Sequence, residues 1–278
     1  MDEFVVGFKV NRQFKHLVAA SFTIEGTGAA VMLGSVFLNC LPCLIAGLVI
    51  VGLGALVLFM DLGAPDKFWR SVTRPDRSWI SRGSIFISCL ILFGALYAIF
   101  PSFRDNVILK TLVGLSALLT MSYTGFLVSS MNAIPFWRSR LIPLLFVLHS
   151  LSSGTIILLF YLSLAGADGV GVTVLQIEMG LLVAALVFTW IHVKSLAASS
   201  SAARESVRML LNGDVRRLFL GGALALGFVL PLILLLVSLK TGGAVSPAIA
   251  VAMLSRLLGD ISYRMALLKT GVYEPVLS

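Results

Sequence analysis

Eight apolar runs constrain this chain more than any other feature, near residues 17–38, 42–60, 84–101, 107–131, 141–165, 173–193, 216–239 and 246–268. A bilayer core about 30 Å thick takes roughly 20 apolar residues per helix, and each run is of that order. Only 12% of the residues are charged, against about 25% in soluble domains. The mean hydropathy of +1.01 points the same way. The expectation is an all-α integral membrane protein, a single transmembrane domain over residues 1–278 with eight transmembrane helices that can divide into two four-helix bundles.

An even number of spans puts both termini on one side. That side would hold the N-terminal segment, the loops near 61–83, 132–140 and 194–215, and the C-terminal tail. These carry 17 Lys and Arg residues, against Arg104, Lys110 and Lys240 on the other side, with Arg256 inside the last run. Because Lys and Arg concentrate in cytoplasmic loops, the termini and large loops are expected on the cytoplasmic side of a cell inner membrane. A docked partner subunit also demands a basic face. The formal charge of +8 is spread over several loops, so it reads as a topology signal rather than a nucleic-acid patch. The first run carries Glu25 and no small-residue cleavage pattern follows it, so it is expected to be a retained helix and not a signal peptide.

Residues 61–83, DLGAPDKFWRSVTRPDRSWISRG, interrupt the apolar pattern with eight charges, two tryptophans and two prolines. Flanked by apolar helices, this loop is expected at a membrane face, with Trp69 and Trp79 at headgroup level. The polar connections are too short for a soluble domain, so chemistry that needs a bulky hydrophilic cofactor is expected to come from another polypeptide. The middle of 195–217 reads either as a short amphipathic interfacial helix or as a solvated basic linker.

Charges inside a span cost about 2.5–3.5 kcal/mol on insertion scales and tend to face the bundle interior. Glu25, Tyr123, His149 and Asp260 each fall about 12 Å, roughly eight residues, from the basic end of their runs. Together they predict one polar layer contributed by four helices. Such a layer suits a quinone, whose carbonyls need hydrogen-bond donors, whose reduction needs two protons, and whose ring and tail need apolar walls. Tyr123 would donate to a carbonyl, and His149, Glu25 or Asp260 would pass protons. The structural alternative is that Glu25 or Asp260 pairs with Arg256 or Arg264 to hold helices together. In the same way, His149 with Ser150, Ser152 or Ser153 would be an interhelical hydrogen bond.

Other patterns carry less. Cys40-Leu-Pro-Cys43 has C-x-x-C spacing but no second ligand pair, and Cys89 reads as a small apolar residue. Gly26, Ala30 and Gly34 form a small-residue stripe that permits close helix packing. His149 and His192 on neighbouring helices leave open a haem b anchor. A proton-coupled secondary transporter is a further alternative, although Pro231 is a lone kink candidate without a partner in the first half.

Four stretches occur in order: DLGAPDKFW with SWISRG, MSYTGFLVSSMNAIPFW, HSLSSG and GDISYRMALLKTGVYEP. They resemble the NrfD-like family of membrane subunits, which includes the polysulfide reductase membrane subunit. The resemblance implies two four-helix bundles and a quinone site (menaquinone or ubiquinone), with no haem or metal in this chain. It also implies an iron–sulfur partner and a molybdenum or tungsten pterin catalytic subunit. Tyr123 falls where the polysulfide reductase branch has its quinone-binding tyrosine. The asparagine and histidine of that branch's first helix correspond here to Val18 and Ser21, so Glu25 or His16 is expected to substitute. The quinone-site residues are thus Tyr123, Ser21, Glu25, His16 and His149, and proton transfer falls to Glu25, Asp260 and Arg256. Asp61 and the Trp79–Arg82 segment would shape the mouth of the site. Lys67, Trp69, Arg70, Arg74 and Arg77 would meet the iron–sulfur partner, with complementary charge setting the register. On this reading the chain is not catalytic alone; the soluble substrate and the direction of electron flow are not encoded in it.

Overall fold

The apolar runs form helices. In the computed structural model, which describes residues 9–11, 16–60, 75–76, 78–241 and 246–274, the first five long helices are α1 (His16–Leu38), α2 (Leu41–Met60), α3 (Trp79–Ile99), α4 (Val107–Ser129) and α5 (Leu141–Leu164). They are followed by α6 (Asp168–Ala197), the short α7 (Ser201–Asn212), α8 (Arg217–Lys240) and α9 (Ser246–Lys269). Seven of these, all except α7 and α9, are long and apolar enough to cross a membrane. The chain is a multi-pass membrane protein. α9 is as long as its neighbours, but Arg256, Asp260 and Arg264 lower its apolarity, and all three are fully buried.

α1 is the most enclosed of the seven spans and packs against α2, α4, α5 and α9. Its small-residue stripe faces α5. Gly26 lies against Ser150, Gly34 against the Leu158 side chain, and Gly154 of α5 leaves room for Ala30. The outward faces carry Leu, Ile and Val, for example Leu53, Leu92 and Ile233, as lipid contact requires.

Two boundaries differ from the sequence expectation. α3 begins at Trp79 rather than near 84, because the Ser78 hydroxyl accepts a hydrogen bond from the Ser81 N–H and caps the helix. Residues 79–83 are therefore helical. The 201–212 segment is a helix docked through Ala202, Ala203, Ser206, Val207 and Leu210, not a solvated linker. On its outer face Glu205 accepts from Arg208 at 2.6 and 2.7 Å, which holds the Glu205 carboxyl below its ordinary range.

α8 changes its winding along its length. Arg217–Val229 makes the wide turns of a π-helix, and Leu230–Lys240 is α-helical. Pro231 stands at the junction, where its missing N–H leaves a carbonyl of the preceding turn without a donor. α9 supplies replacements: Ser255 Oγ donates to the Leu226 carbonyl at 2.5 Å, and Arg256 Nη1 to the Gly227 carbonyl at 3.3 Å. The approach depends on Gly227 and Gly259. A Cβ on Gly259 would fall 2.5 Å from the Gly227 nitrogen, with the Gly227 Cα nearer still.

The basic ends are tied together. Val10 and Val272 form an antiparallel bridge, Asn11 N–H donates to Gly271 O at 2.7 Å, and Tyr273 N–H donates to Lys9 O at 2.9 Å. Trp137, between α4 and α5, donates its indole N–H to Leu267 O at 2.9 Å. Cys40 and Cys43, at the α1–α2 turn, are joined as a disulfide.

Candidate functional site

Four helices converge on two buried polar pairs. Tyr123 of α4 donates its hydroxyl to Glu25 Oε2 of α1 at 2.6 Å. Both side chains are buried, and Glu25 Oε1 has no partner. Gly54 of α2 leaves room for Glu25, and Gly83 of α3 for the Tyr123 ring, since a Cβ on Gly83 would lie 2.8 Å from Tyr123 Cζ. Two glycines on neighbouring helices thus hold the pair in place from behind.

The second pair joins α5 and α9. His149 Nδ1 lies 3.3 Å from Asp260 Oδ1. Arg264 Nε donates to the same oxygen at 3.1 Å, and Ser153 Oγ donates to Oδ2 at 3.0 Å. Arg264 continues to Ser150 Oγ at 2.9 Å, and its guanidinium stacks over Phe146 at 4.5 Å. Arg264 also acts electrostatically on Glu25. Arg264 Nη2 also lies against Gly26, the residue after Glu25, so the two pairs are neighbours.

Arg256, one turn from Asp260, carries the cluster deeper. Its Nε donates to Ser152 Oγ at 2.8 Å, and its Nη2 lies 3.3 Å from His149 Nδ1. Ser152 in turn donates to Glu178 Oε1 of α6 at 2.6 Å. Glu178 is fully buried and its Oε2 has no partner. Two guanidiniums, which stay charged in any protein setting, are thus buried with three carboxyl groups. An unpaired charge at this depth would be costly, and from Asp260 through His149, Arg256 and Ser152 to Glu178 the groups are joined by hydrogen bonds and close charge contacts.

Of the sequence-derived residues, Tyr123, Glu25, His149, Asp260 and Arg256 meet in this cluster. Arg256 contacts His149 and Ser152, while Arg264 is the hydrogen-bonded partner of Asp260. Ser21 is buried one turn before Glu25, but its hydroxyl donates to Val18 O at 2.9 Å within α1. His16 is exposed at the start of α1, about 14 Å along the helix from Glu25, and does not join the cluster. Glu178, Ser150, Ser152 and Ser153 were not assigned as site residues from sequence. Glu178 had a readable signal, a lone carboxylate inside an apolar run. Among the described residues, no group of three His, Cys, Asp or Glu side chains is arranged to hold a metal ion.

Trp79 and Arg82 sit where the polar 61–83 segment meets α3. Arg82 Nε and Nη2 donate to Pro75 O at 2.7 Å and Asp76 O at 2.9 Å. Its guanidinium lies 4.4 Å from the centre of the Trp79 ring, which stacks on Phe126 at 4.7 Å. These two residues pin the end of the segment to α3 and α4. Asp61, Lys67, Trp69, Arg70, Arg74 and Arg77 lie outside the described residues.

Residues 39–275 match the protein family described as polysulphide reductase, NrfD. The chain belongs to the NrfD family. NrfD proteins are membrane subunits of respiratory oxidoreductase complexes and anchor iron–sulfur and molybdopterin subunits. No match is found among curated protein sequences. The NrfD match runs from the α1–α2 turn through the end of α9 and so includes Tyr123, His149, Glu178 and Asp260; Glu25 lies before it.

Proposed function

We propose that this NrfD-family protein binds quinone or quinol and exchanges electrons with a docked iron–sulfur subunit, with coupled proton transfer through its buried cluster. The partner assembly includes a molybdenum or tungsten pterin catalytic subunit, and this chain holds no haem or metal of its own. The observation that carries the reading is the Tyr123–Glu25 pair. A donor hydroxyl and a carboxyl with one unpartnered oxygen are enclosed together, which suits a quinone carbonyl. When bound, the quinone supplies two-electron, two-proton chemistry. Glu25, when it carries a proton, offers a donor at Oε1, and Tyr123 fixes the orientation of that carboxyl. His149 and Asp260 exchange protons with it from the far side, and Arg256, which keeps its charge, holds His149 and Ser152 in place.

All eight long helices span the membrane in this arrangement. α9 is 24 residues long, about 36 Å at 1.5 Å per residue, and its charges face inward, so lipid meets only its apolar side. The most extensive contacts join the antiparallel neighbours α1–α2, α3–α4, α5–α6 and α8–α9, pairs from which two four-helix bundles can be built. The termini and basic loops face the cytoplasm of a cell inner membrane. Lys67, Arg70, Arg74 and Arg77 meet the iron–sulfur partner there, with Asp61 and Trp69 beside them. Trp79 and Arg82 support this docking loop from below.

The test is Tyr123→Phe in the intact complex. Quinol-linked turnover is expected to fall while artificial-dye activity persists. Equal loss of both would mean that assembly has failed and would remove the support for a quinone-site tyrosine.

A further inference from the structure

A groove opens between α1 and α4 at the end of the bundle opposite the basic loops. Its volume is about 450 Å³, within the range of small-molecule sites. Val107, Thr111, Gly114 and Leu118 line one wall as a stripe down α4, and Leu33 and Phe37 line the other. From Val107 to Leu118 is about 16 Å at 1.5 Å per residue, close to half of a bilayer core of about 30 Å. The groove is therefore one leaflet deep. Its walls are apolar, since the Thr111 hydroxyl is spent on the Val107 carbonyl at 2.8 Å. Gly114 gives it width, because a Cβ there would meet only Leu33, at 3.4 Å.

Half-buried Lys110 also lines the groove, in the first turn of α4 and so at the membrane-surface end. Its Nζ donates to Asn39 Oδ1 at 2.8 Å, and the same oxygen, at the α1–α2 turn, accepts from the Tyr97 hydroxyl at 3.3 Å. These bonds fix the ammonium without neutralising it. Among the described residues no carboxylate pairs with Lys110. Arg104 and Asp105 act on Tyr97 with opposite sign and offset each other, so the corner keeps the positive charge of Lys110.

We propose that this groove binds a singly anionic phospholipid from the leaflet opposite the basic loops, with one acyl chain between α1 and α4 and its phosphate on Lys110. The ammonium has three donors and gives one to Asn39, whose own amide NH2 adds donors at the same corner. The chain would cover Phe37 and Val107, which are 80% and 73% exposed in the bare protein. An uncharged polyprenyl tail or an apolar protein face would instead cover the Lys110 charge without a counter-charge, which is costly. A phosphate diester supplies that counter-charge, and its chain matches the depth of the groove. The site does not rest on the quinone reading above.

The experiment is native mass spectrometry of the intact complex, stripped of lipid in detergent and titrated with phosphatidylglycerol or phosphatidylcholine. The tightest-bound lipid on the wild type is expected to be phosphatidylglycerol, preferred on the order of 5-fold, the worth of one lysine beside anionic lipid. Lys110→Ala should abolish that preference, while Lys110→Arg and Lys240→Ala, the latter removing another lysine at the same face, should keep it. Gly114→Leu fills the groove and should weaken both lipids. Equal binding of the two lipids by the wild type overturns the proposal, and so does unchanged phosphatidylglycerol binding in either Lys110→Ala or Gly114→Leu. Loss of a bound quinone in Gly114→Leu, with phosphatidylglycerol retained, would make the occupant a polyprenyl tail. Splitting of a paired complex by that substitution would make it a second copy. Either result also overturns the phospholipid site, and none of these readouts depends on quinol turnover.

Discussion

Replacing Gly83 with alanine tests whether the Tyr123–Glu25 geometry governs quinone chemistry, without touching either residue. The added Cβ would lie 2.8 Å from Tyr123 Cζ, and two further ring carbons would be closer. Carbon atoms pack at about 3.5–4.0 Å, so the ring must retreat by roughly 1–2 Å. The Tyr123–Glu25 bond is 2.6 Å long, and a displacement of that size takes it out of the range of a strong hydrogen bond. Removing a partner from a buried carboxyl costs about 1–3 kcal/mol. If the same interaction supports the transition state, quinol-linked turnover falls roughly 5- to 150-fold. The assay compares quinol-linked and dye-linked rates of purified complexes carrying Gly83→Ala and, as a control, Gly52→Ala, where an added Cβ meets nothing within 4 Å. A Gly83→Ala complex that turns over quinol at the control rate refutes the argument, as does an equal fall in both activities.

Asp260→Asn leaves Arg264 without its buried counter-charge and His149 without its carboxylate partner. It is expected to destabilise by about 3–5 kcal/mol, read as a lower unfolding temperature in detergent; an unchanged temperature would count against a charged cluster. Gly259→Ala forces α8 and α9 apart at a backbone contact, with an expected loss of about 1–3 kcal/mol that the same scan would detect. The Cys40–Cys43 disulfide sits at the face opposite the basic loops. After reduction, a membrane-impermeant maleimide should therefore label intact spheroplasts and not sealed inside-out vesicles, and the reverse result would invert the topology. The Arg208 bond depresses the Glu205 carboxyl, so its contribution is present above the unfolded value of 4.5 and is lost as the pH falls through the lower folded value. A pH series comparing Arg208→Ala with wild type should converge at acid pH.

Much of this architecture was legible because a bilayer imposes a simple length rule: apolar runs of about 20 residues became the long helices. Helix rise put Glu25 level with Tyr123 and His149 level with Asp260, and each of these two pairs is in contact. Pairing was not legible. Depth does not tell whether Asp260 faces Arg256 or Arg264, which depends on helix rotation and on Ser153 and Ser150 approaching across the interface. The start of α3 was obscured because Trp-Ile-Ser-Arg-Gly has the composition of a loop, and only the Ser78 cap shows where the helix begins. The π winding of α8 had only Pro231 as a signal. It also depends on the close approach of Gly227 and Gly259, residues distant in sequence.

α9 bears on how the protein is made. Alone in lipid, a helix with Arg256, Asp260 and Arg264 would insert poorly, because each charge opposes entry by about 2.5–3.5 kcal/mol at the bilayer centre. The groups that receive those charges, His149, Ser150, Ser152 and Ser153 on α5 and the carbonyl of Gly227 on α8, are all synthesised before it. In the eight-span arrangement the polar helix emerges from the ribosome only after its berth has been built. Integration of α9 is then an act of folding rather than of partitioning into lipid.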